Sequence, residues 1–322
     1  MTGPEPTAAP PATLPSFAVR IDRPDLAPWR AGNTGIAGFT SHTAEAAGPN
    51  VLLLALMHGN EYAGAIALDR LLRARLKPLR GRLTFGFANL AAFDTFDPEH
   101  PTASRFVDED LNRLWDPAVL DGSRQSRELA RAREIYPAVT AADVVLDLHS
   151  MLWPSDPLIL CGATPRGRML AETIGIPGLV VADRGHASGA RLIDHPRFAS
   201  DSGTARALLV EAGQHWEPGT VDMAAASIAV LLRHLGLARM ASAPPAPPLR
   251  SAEVTTVVTA NTASFAFVRA FRGGEVIPRR NTLIALDGSS EIRTPHDNCL
   301  LVMPSLRPTR GHTAVRLARF SG

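Results

Sequence analysis

Two residue types that bind metal ions follow an apolar segment near the start of the chain. In the stretch VLLLALMHGNEYAG, residues 51–64, seven apolar residues run directly into His58, and Glu61 follows three positions later. A strand that only fills a core usually ends in turn residues, whereas imidazole and carboxylate groups are common zinc ligands. The pair therefore indicates a metal site, provided that the fold supplies a third ligand and a catalytic base.

Two further apolar segments end in groups of the same kind. The stretch ADVVLDLH ends in His149, and ALLVEAG carries Glu211 near its end. Two histidines and one carboxylate make a catalytic zinc set with the fourth position left for water, and a second carboxylate is needed to move the proton. We predict one Zn²⁺ per chain bound by His58, Glu61 and His149, with Glu211 as a base that faces the metal without coordinating it.

The prediction depends on all of these residues lying at the same edge of the predicted sheet, because each pattern alone is weak evidence for a metal site. A His-x-x-Glu pair is nearly expected by chance in a chain with 10 His, and a lone His after a strand is more often a packed or capping residue. Ligands of open α/β sheets, however, collect at the carboxyl ends of the strands. Asp147 shares a strand face with His149, where it either orients that ligand or makes a simple strand-end hydrogen bond.

A polar segment between the first two ligand-bearing strands supplies groups for the substrate. The stretch SRFVDEDLNRLW contains Arg105, Asn112 and Arg113. A planar guanidinium beside an amide donor suits a carboxylate, so Asn112 and Arg113 are candidate substrate-binding residues. Arg105 is a candidate for stabilising the oxyanion that develops on an attacked carbonyl. The alternative is a solvated charge cluster.

The elements that position these residues alternate between strands and helices. Such alternation predicts an α/β domain with a central, largely parallel sheet flanked by helices. The pattern predicts strands at 51–57, 82–89, 142–149, 178–183 and 207–213, and helices at 61–76, 123–139, 165–175 and 221–237.

The predicted domains are separated by a proline-rich stretch. Residues 1–16 are rich in Pro, Ala and Thr and are predicted to be a disordered tail, and residues 17–240 form the α/β domain. Four prolines in residues 241–250 favour an extended linker. Short β-rich segments divided by Gly, Pro or Asn then predict a small β domain over 251–322.

Composition excludes several classes of partner. The chain has 322 residues, of which 45% are apolar and 20% charged, with a net charge of +2, so nothing indicates nucleic acid. No apolar run approaches the roughly 20 residues of a membrane span. Two isolated cysteines, Cys161 and Cys299, and an N-terminus unlike a signal peptide favour the cytoplasm. A homo-oligomer is possible.

Four motifs in order carry a family resemblance: HGNE, RFVDEDLNR, DLHS and VEAG. They resemble the succinylglutamate desuccinylase/aspartoacylase family, a branch of the zinc carboxypeptidase clan, over roughly residues 50–240. The resemblance implies a zinc-carboxypeptidase-like core with a mixed, largely parallel sheet and a C-terminal β domain. It also implies the zinc ligands and base given above, with Arg105 polarising the scissile carbonyl and Asn112 and Arg113 holding the substrate carboxylate.

The chain departs from named members of that family around the substrate. Before Glu211 the aspartoacylases carry a Tyr and an Arg that bind aspartate, whereas here Arg206 is at a different spacing and no Tyr is present. After His149 the segment SMLWPSDPL has no cation for a succinyl group. In place of the Gly-rich stretch typical of the ectoine-degrading branch, this chain has DED. These departures disfavour all three known substrates.

Tryptophans near the motifs indicate the character of the substrate. Trp115 is expected to pack beneath the loops, whereas Trp153 and Trp216 follow the DLHS and VEAG motifs and are predicted to form pocket walls. Aromatic walls favour apolar or aromatic groups. The prediction is therefore a zinc amidohydrolase that deacylates a small N-acyl amino acid or related amide.

Two other functions stay open at this point. One is a metallocarboxypeptidase that acts on short peptides, which a β domain near the site mouth would disfavour. The other is a non-catalytic binding protein on the same fold, which the presence of both the ligands and Glu211 disfavours.

Overall fold

The computed structural model describes residues 17–185, 188–240 and 248–321. The predicted N-terminal tail and most of the predicted linker lie outside these residues. The domain boundaries therefore stay a prediction.

Fourteen strands form two sheets in the described residues. Their bounds are β1 (Phe39–Thr43), β2 (Asn50–Ala55), β3 (Arg82–Phe87), β4 (Val144–Met151), β5 (Leu158–Leu160), β6 (Leu179–Ala182), β7 (Arg206–Gln214), β8 (Arg250–Thr259), β9 (Phe265–Phe267), β10 (Val276–Ile277), β11 (Leu283–Asp287), β12 (Ser290–Arg293), β13 (Cys299–Val302) and β14 (Thr313–Phe320).

The large sheet has the strand order β1-β3-β2-β4-β7-β5-β6-β8-β14-β13-β10. Strands β3, β2, β4 and β7 are parallel neighbours, β5 is antiparallel to β7, and β6 and β8 continue parallel to β5. The carboxyl ends of β2, β4 and β7 therefore share one edge. This edge is where the predicted ligands and base follow their strands.

Helices cover both faces of the parallel strands. They are α1 (Ala63–Arg73), α2 (Leu90–Asp94), α3 (Pro117–Leu120), α4 (Arg127–Ala141), α5 (Pro165–Ile174), α6 (Pro196–Ala199) and α7 (Pro218–His234). One apolar core holds buried residues of α1, α5 and α7, and a second core on the other face holds those of α4. The two layers explain why the central strands are apolar without alternation.

Local signals define the helix ends. The Ser126 hydroxyl accepts from Leu129 N at 3.0 Å and begins α4. Thr164 caps α5, which ends where Gly175 adopts a left-handed conformation, φ 59°. These are the N-cap and C-cap residues that helices prefer.

The C-terminal strands extend the large sheet and add a small one. β8 pairs in parallel with β6, so β8, β14, β13 and β10 continue the same sheet. Strands β12, β11 and β9 form a separate antiparallel sheet with its own apolar cluster. A mixed, largely parallel sheet flanked by helices, with a small C-terminal β unit, confirms the predicted fold class.

No helix in the part of the chain that the structure describes combines the length and apolar character needed to cross a bilayer. Cys161 and Cys299 are both buried free thiols.

Candidate active site

The first predicted ligand pair lies in a tight turn after β2. Gly59 permits this turn, because a Cβ atom there would lie 2.5 Å from the carbonyl oxygen of Ser104. The Gly59 N–H donates to the carbonyl oxygen of Arg105 at 3.0 Å. The turn that carries His58 and Glu61 is thereby fixed against the segment that carries Arg105.

The structure brings the three predicted metal ligands together. Nδ1 of His58 lies 2.8 Å from Oε1 of Glu61, and Nδ1 of His149 lies 3.1 Å from Oε2 of the same carboxylate. One ligand atom from each residue lies within 4.8 Å of the others, and all three side chains are buried. This geometry provides a nitrogen–oxygen–nitrogen set of the kind that zinc binds.

The charges within this group are strongly coupled. Burial alone would raise the pKa of Glu61, but His58 and His149 lower it well below its usual value. Burial opposes a charge on His149, yet Asp147 and Glu61 raise its pKa well above the usual range. The carboxylate at the centre is therefore ionised.

Each histidine meets a second carboxylate through its outer nitrogen. Nε2 of His149 lies 2.9 Å from Oδ2 of Asp147, and Nε2 of His58 lies 2.8 Å from Oδ1 of Asp110. Such contacts orient ligating histidines. Asp147 was a candidate for this position from its strand face, whereas Asp110 was missed. A signal for Asp110 existed, because Asp before a short helical turn is a preferred cap, and its carboxylate accepts from Asn112 N at 2.9 Å.

Glu211 lies beside the ligand group on the adjacent strand. It is the register partner of His149 in the β4–β7 pair, and its side chain is buried. Burial raises the pKa of Glu211 to about 8, although His149 and Arg105 act in the opposite direction. Among the described residues, Glu211 is not one of the three whose ligand atoms converge, which fits a base better than a ligand.

Arg105 lies at the edge of the ligand group. Its NH1 donates to Oε1 of Glu61 at 3.0 Å, and its NH2 donates to Oδ2 of Asp110 at 3.1 Å. The side chain is 37% exposed, so the guanidinium is open to the cavity while its direction is fixed. The role of Arg105 toward a substrate carbonyl stays a prediction.

A buried carboxylate on α4 holds the polar segment in place. Glu128 is 1% exposed and accepts from the backbone N–H groups of Val107, Asp108 and Glu109 at 2.7–3.2 Å. It also accepts from the side chain of Asn89 at 3.1 Å. The sequence analysis missed this residue, because a Glu in the first turn of a helix usually faces solvent.

The predicted carboxylate-binding pair ends the same segment. Asn112 accepts from Leu192 N through Oδ1 at 2.9 Å, and Arg113 donates through NH1 to the Asn112 carbonyl oxygen at 2.6 Å. A Cβ atom on Gly189 would lie 2.3 Å from the Arg113 carbonyl oxygen, so this contact needs glycine. The pair is held between the polar segment and the chain around residue 190.

One cavity of about 620 Å³ is lined by the three metal-ligand residues, Glu211, Arg105, Asp110, Asn112 and Arg113. The metal-ligand group, Glu211 and Arg105 lie together with an apolar wall from the chain after β4 and a wall from the C-terminal strands. The first wall includes Met151 at the end of β4 and the following Leu152 and Trp153, and the C-terminal wall includes Met303, Pro304, His312 and Arg316.

Comparison with known proteins agrees with the motif analysis. The family model of the succinylglutamate desuccinylase/aspartoacylase catalytic domain matches residues 47–235. The chain belongs to the succinylglutamate desuccinylase/aspartoacylase family. The resemblance predicted from the four motifs is therefore confirmed, and the family is one of deacylating hydrolases.

Relatives of this family are similar over part of the chain. A probable aspartoacylase of Parasynechococcus marenigrum is 32% identical over 140 residues, 41% of this chain and 44% of that protein. A succinylglutamate desuccinylase of Pseudoalteromonas atlantica is 34% identical over 120 residues, 33% of this chain and 32% of that protein. The matches thus span less than half the length of these curated relatives.

The fold is shared over nearly the whole chain. The structure of succinylglutamate desuccinylase from Vibrio parahaemolyticus matches with a TM-score of 0.65 and 17% identity, covering 90% of this chain and 93% of that one. This likeness supports the fold rather than a substrate.

Three residues considered in the sequence analysis, Trp153, Trp216 and Arg206, lie at different places relative to the cavity. Trp153 lines the cavity, with its ring 5.4 Å from that of Phe17. Trp216 does not line the cavity: it is 1% exposed, and its Nε1 donates to the Asn60 carbonyl oxygen at 3.0 Å. Trp216 has a left-handed backbone conformation, φ 60°, and its ring belongs to the apolar core that holds α1, α5 and α7. Arg206 begins β7 and lies at the opposite end from the site.

A serine–histidine contact beside the ligands was also missed. Oγ of Ser150 lies 2.6 Å from Nδ1 of His215, and both residues line the cavity. Ser150 N donates to Oε2 of Glu61 at 3.0 Å. Burial lowers the pKa of His215 to about 4, so this imidazole is neutral at pH 7.

Proposed function

We propose that this chain is a zinc-dependent amidohydrolase that removes the acyl group from a small N-acyl amino acid or related amide. The observation that carries the proposal is the position of Glu211 beside His149, next to three converging metal-ligand types in one cavity. Family membership supplies the reaction class.

The donor set fits zinc. Zinc prefers imidazole nitrogen and carboxylate oxygen in sites of three protein ligands, and His58, Glu61 and His149 provide that set. Their outer contacts to Asp110 and Asp147 are those expected of oriented ligands. When bound there, zinc supplies a Lewis acid that activates water for attack at neutral pH.

Glu211 carries the proton in the proposed reaction. It takes the proton of the attacking water and returns it to the nitrogen of the leaving amine, so the scissile C–N bond breaks as a neutral amine departs. Burial raises the pKa of Glu211 above that of an ordinary carboxyl, which makes its carboxylate a stronger base toward the attacking water.

Arg105 stabilises the charge that develops on the carbonyl oxygen. Its contacts to Glu61 and Asp110 fix the guanidinium before the substrate binds. The attraction between a preorganised cation and the carbonyl oxygen becomes stronger as that oxygen becomes negative. The transition state is therefore stabilised more than the bound substrate, which accelerates the reaction.

The remaining contacts select a small substrate. Arg113, held against the Asn112 carbonyl, binds the substrate carboxylate, and the apolar wall with Trp153 receives the acyl group or side chain. Pro304 and His312 of the C-terminal part line the cavity, and a wall on this side would disfavour long peptides and hence the carboxypeptidase alternative. A non-catalytic binding protein has no need of Glu211.

A direct test is amine release from a substrate panel by the zinc-loaded full chain. The panel contains acetyl-, succinyl- and benzoyl-amino acids together with a tripeptide. We expect turnover of at least one N-acyl amino acid above that of the tripeptide. Preference for the tripeptide would favour the carboxypeptidase, and binding without turnover of any member would favour the binding protein.

The first expected result concerns Arg113→Ala. Removing one partner of a buried charge-assisted pair costs about 2–5 kcal/mol, so kcat/KM should fall by about 30-fold or more for an N-acyl amino acid. The C-terminal carboxamide of the same compound should change little. Arg124→Ala, an exposed arginine bonded to Glu109, is the matched control. Equal losses for acid and amide would show that Arg113 does not bind the carboxylate.

The second concerns Trp153→Ala. Burying an apolar group contributes about 1.5–3 kcal/mol, so the variant should narrow the kcat/KM ratio of benzoyl- to acetyl-amino acids by about tenfold. Trp29→Ala is the control. Trp29 is not among the residues that line the cavity, and its Nε1 donates to Asp69. A wild-type preference for acetyl or succinyl substrates that Trp153→Ala leaves unchanged would contradict this assignment.

A further inference from the structure

The turn that carries Trp153 is bonded to a distant segment of the C-terminal part. This turn, residues 152–156, directly follows β4. Asp156 N donates to the Gly273 carbonyl oxygen at 2.9 Å, and Gly273 N donates to the Pro154 carbonyl oxygen at 3.0 Å. The two hydrogen bonds form a parallel β-bridge outside the named strands.

The segment that contains Gly273 is itself fixed in the C-terminal part. Phe271 is 4% exposed and belongs to the apolar cluster of the small sheet. Gly274 N donates to the carbonyl oxygen of Leu301 in β13, and Leu301 N donates to the Glu275 carbonyl oxygen, both at 2.8 Å. Gly273 is therefore held from both sides, and the turn is bonded to a fixed segment.

The two segments approach so closely that only glycine fits at the contact. A Cβ atom on Gly273 would lie 2.1 Å from Oγ and 2.6 Å from Cβ of Ser155, whereas Cα of Ser155 is 3.2 Å away. Ser155 is 6% exposed, so its side chain has little room to move aside. The backbone of Gly273 lies outside the left-handed region. The side chain of Ser155 is therefore the obstacle to a larger residue.

The contact fixes the far end of the turn. Its start is bonded to β7, because Nε2 of Gln214 donates to the Leu152 carbonyl oxygen at 3.3 Å. Trp153 lies between these two fixed points, and its ring meets that of Phe17 edge to face at 5.4 Å. The place of the Trp153 ring in the cavity wall therefore depends on Gly273.

A surface ion pair joins the same two segments. NH2 of Arg272 lies 2.8 Å from Oδ1 of Asp156, and 60% and 40% of these side chains are exposed. Exposed pairs contribute little to stability. The backbone contact at Gly273 is therefore the stronger constraint on the turn.

We propose that Gly273 is a positioning residue for Trp153, and that selectivity between bulky and small acyl groups depends on its contact with Ser155. The inference rests on the proposed deacylase function and names the element that sets its acyl selectivity. Dispersion attraction falls steeply with distance, so a shift of the turn by a fraction of an ångström reduces the contact of Trp153 with a bulky group. An acetyl group makes little contact with the ring and loses little.

A purely structural role for Gly273 is the competing explanation. A glycine that is needed only for stability affects bulky and small ligands alike when it is replaced. A positioning glycine affects the bulky ligand, and the effect is relieved when the obstacle on Ser155 is removed. Ser155→Gly removes both side-chain atoms that the new Cβ would meet and leaves Cα at 3.2 Å.

The test measures binding of N-benzoyl-leucine and N-acetyl-leucine to the zinc-loaded full chain by calorimetry, in the Glu211→Gln background that prevents turnover. The benzoyl probe should bind more tightly. Gly273→Ala should narrow the ratio of the two affinities by about three- to tenfold. Gly273→Ala combined with Ser155→Gly should recover most of that ratio. Gly219→Ala is the matched control, because an added Cβ there meets nothing within 4 Å.

A second measurement needs no substitution. In hydrogen exchange resolved to single amides, the N–H groups of Asp156 and Gly273 should exchange slowly, because each donates across the contact. Both should exchange faster in Gly273→Ala. Exchange as fast as that of an exposed loop in the unsubstituted chain would overturn the proposal, even where Gly273→Ala fails to fold.

The binding data can contradict the proposal in four ways. These are equal affinity for the two probes before any change at Gly273, equal weakening of both in Gly273→Ala, an unchanged ratio in that variant, and no recovery on adding Ser155→Gly. Turnover of N-acetyl-leucine by the chain with Glu211 intact would keep the deacylase function in each case. An affinity ratio that follows Gly273 in a protein that hydrolyses no N-acyl amino acid would reject the deacylase function alone.

Discussion

Replacement of Glu211 by Gln is expected to lower kcat by about 10²–10⁴-fold, the usual contribution of a positioned acid–base group, and to leave the zinc content of the protein unchanged. Gln keeps the size and shape of the side chain but cannot accept a proton from water. Because Glu211 lies outside the converging ligand group of the described residues, its loss leaves the three metal ligands in place.

The measurement combines single-turnover amine release with metal analysis of the same sample. Glu217→Gln is the matched control, because Glu217 is a partly exposed carboxylate that pairs with Arg20 on the surface. Such surface pairs contribute little. Loss of zinc together with activity in Glu211→Gln would make Glu211 a ligand, and unchanged turnover would remove it from the reaction.

The sequence is sufficient to predict the central strands because burial on both faces leaves a clear signal. The apolar runs of β2 and β7 are continuous, that of β4 is interrupted by Asp147, and a His or Glu lies at or near the end of each. Since parallel strands end at one edge, the convergence of His58, His149 and Glu211 follows from fold class alone. That edge holds all three in the structure.

Short and edge elements leave no comparable signal. Strand β5 has three residues, and its place between β7 and β6 depends on an antiparallel pairing that no local pattern specifies. The edge strand β1 is half-buried, and its sequence pattern does not distinguish it from a loop. Likewise, the pairing of β8 with β6 depends on contacts between distant segments, which no local pattern specifies.

The direction of a side chain that follows a strand is a second feature that the sequence does not predict. Trp153 and Trp216 both follow site motifs, yet one lines the cavity and the other is buried in the core. Trp216 also has a left-handed backbone conformation, φ 60°, which a non-glycine residue adopts rarely and which the sequence does not mark. Arg316 and Asp110 were missed for a related reason: each reaches the site through contacts between segments distant in sequence.

The second large effect concerns the metal itself. His149→Ala should abolish stoichiometric zinc binding and, with it, activity. The variant removes the Nδ1 atom that lies 3.1 Å from Oε2 of Glu61, so two ligands remain from one short turn. Structural zinc sites need four ligands and catalytic sites usually three, and a two-ligand remnant holds zinc weakly.

Zinc per chain is measured after dialysis against a mild chelator, with circular dichroism to verify the fold. His42→Ala is the control. His42 lies on the edge strand β1, so its substitution removes an imidazole without changing the ligand group. The wild type and His42→Ala should each retain one zinc, and His149→Ala should retain close to none.

A folded His149→Ala protein that keeps one tightly bound zinc and full turnover would place the metal elsewhere. A folded His149→Ala protein without zinc that keeps full turnover would separate the hydrolysis from this ligand group. The expected joint loss of zinc and turnover follows only if His149 holds the metal next to Glu211, its partner across the β4–β7 pair.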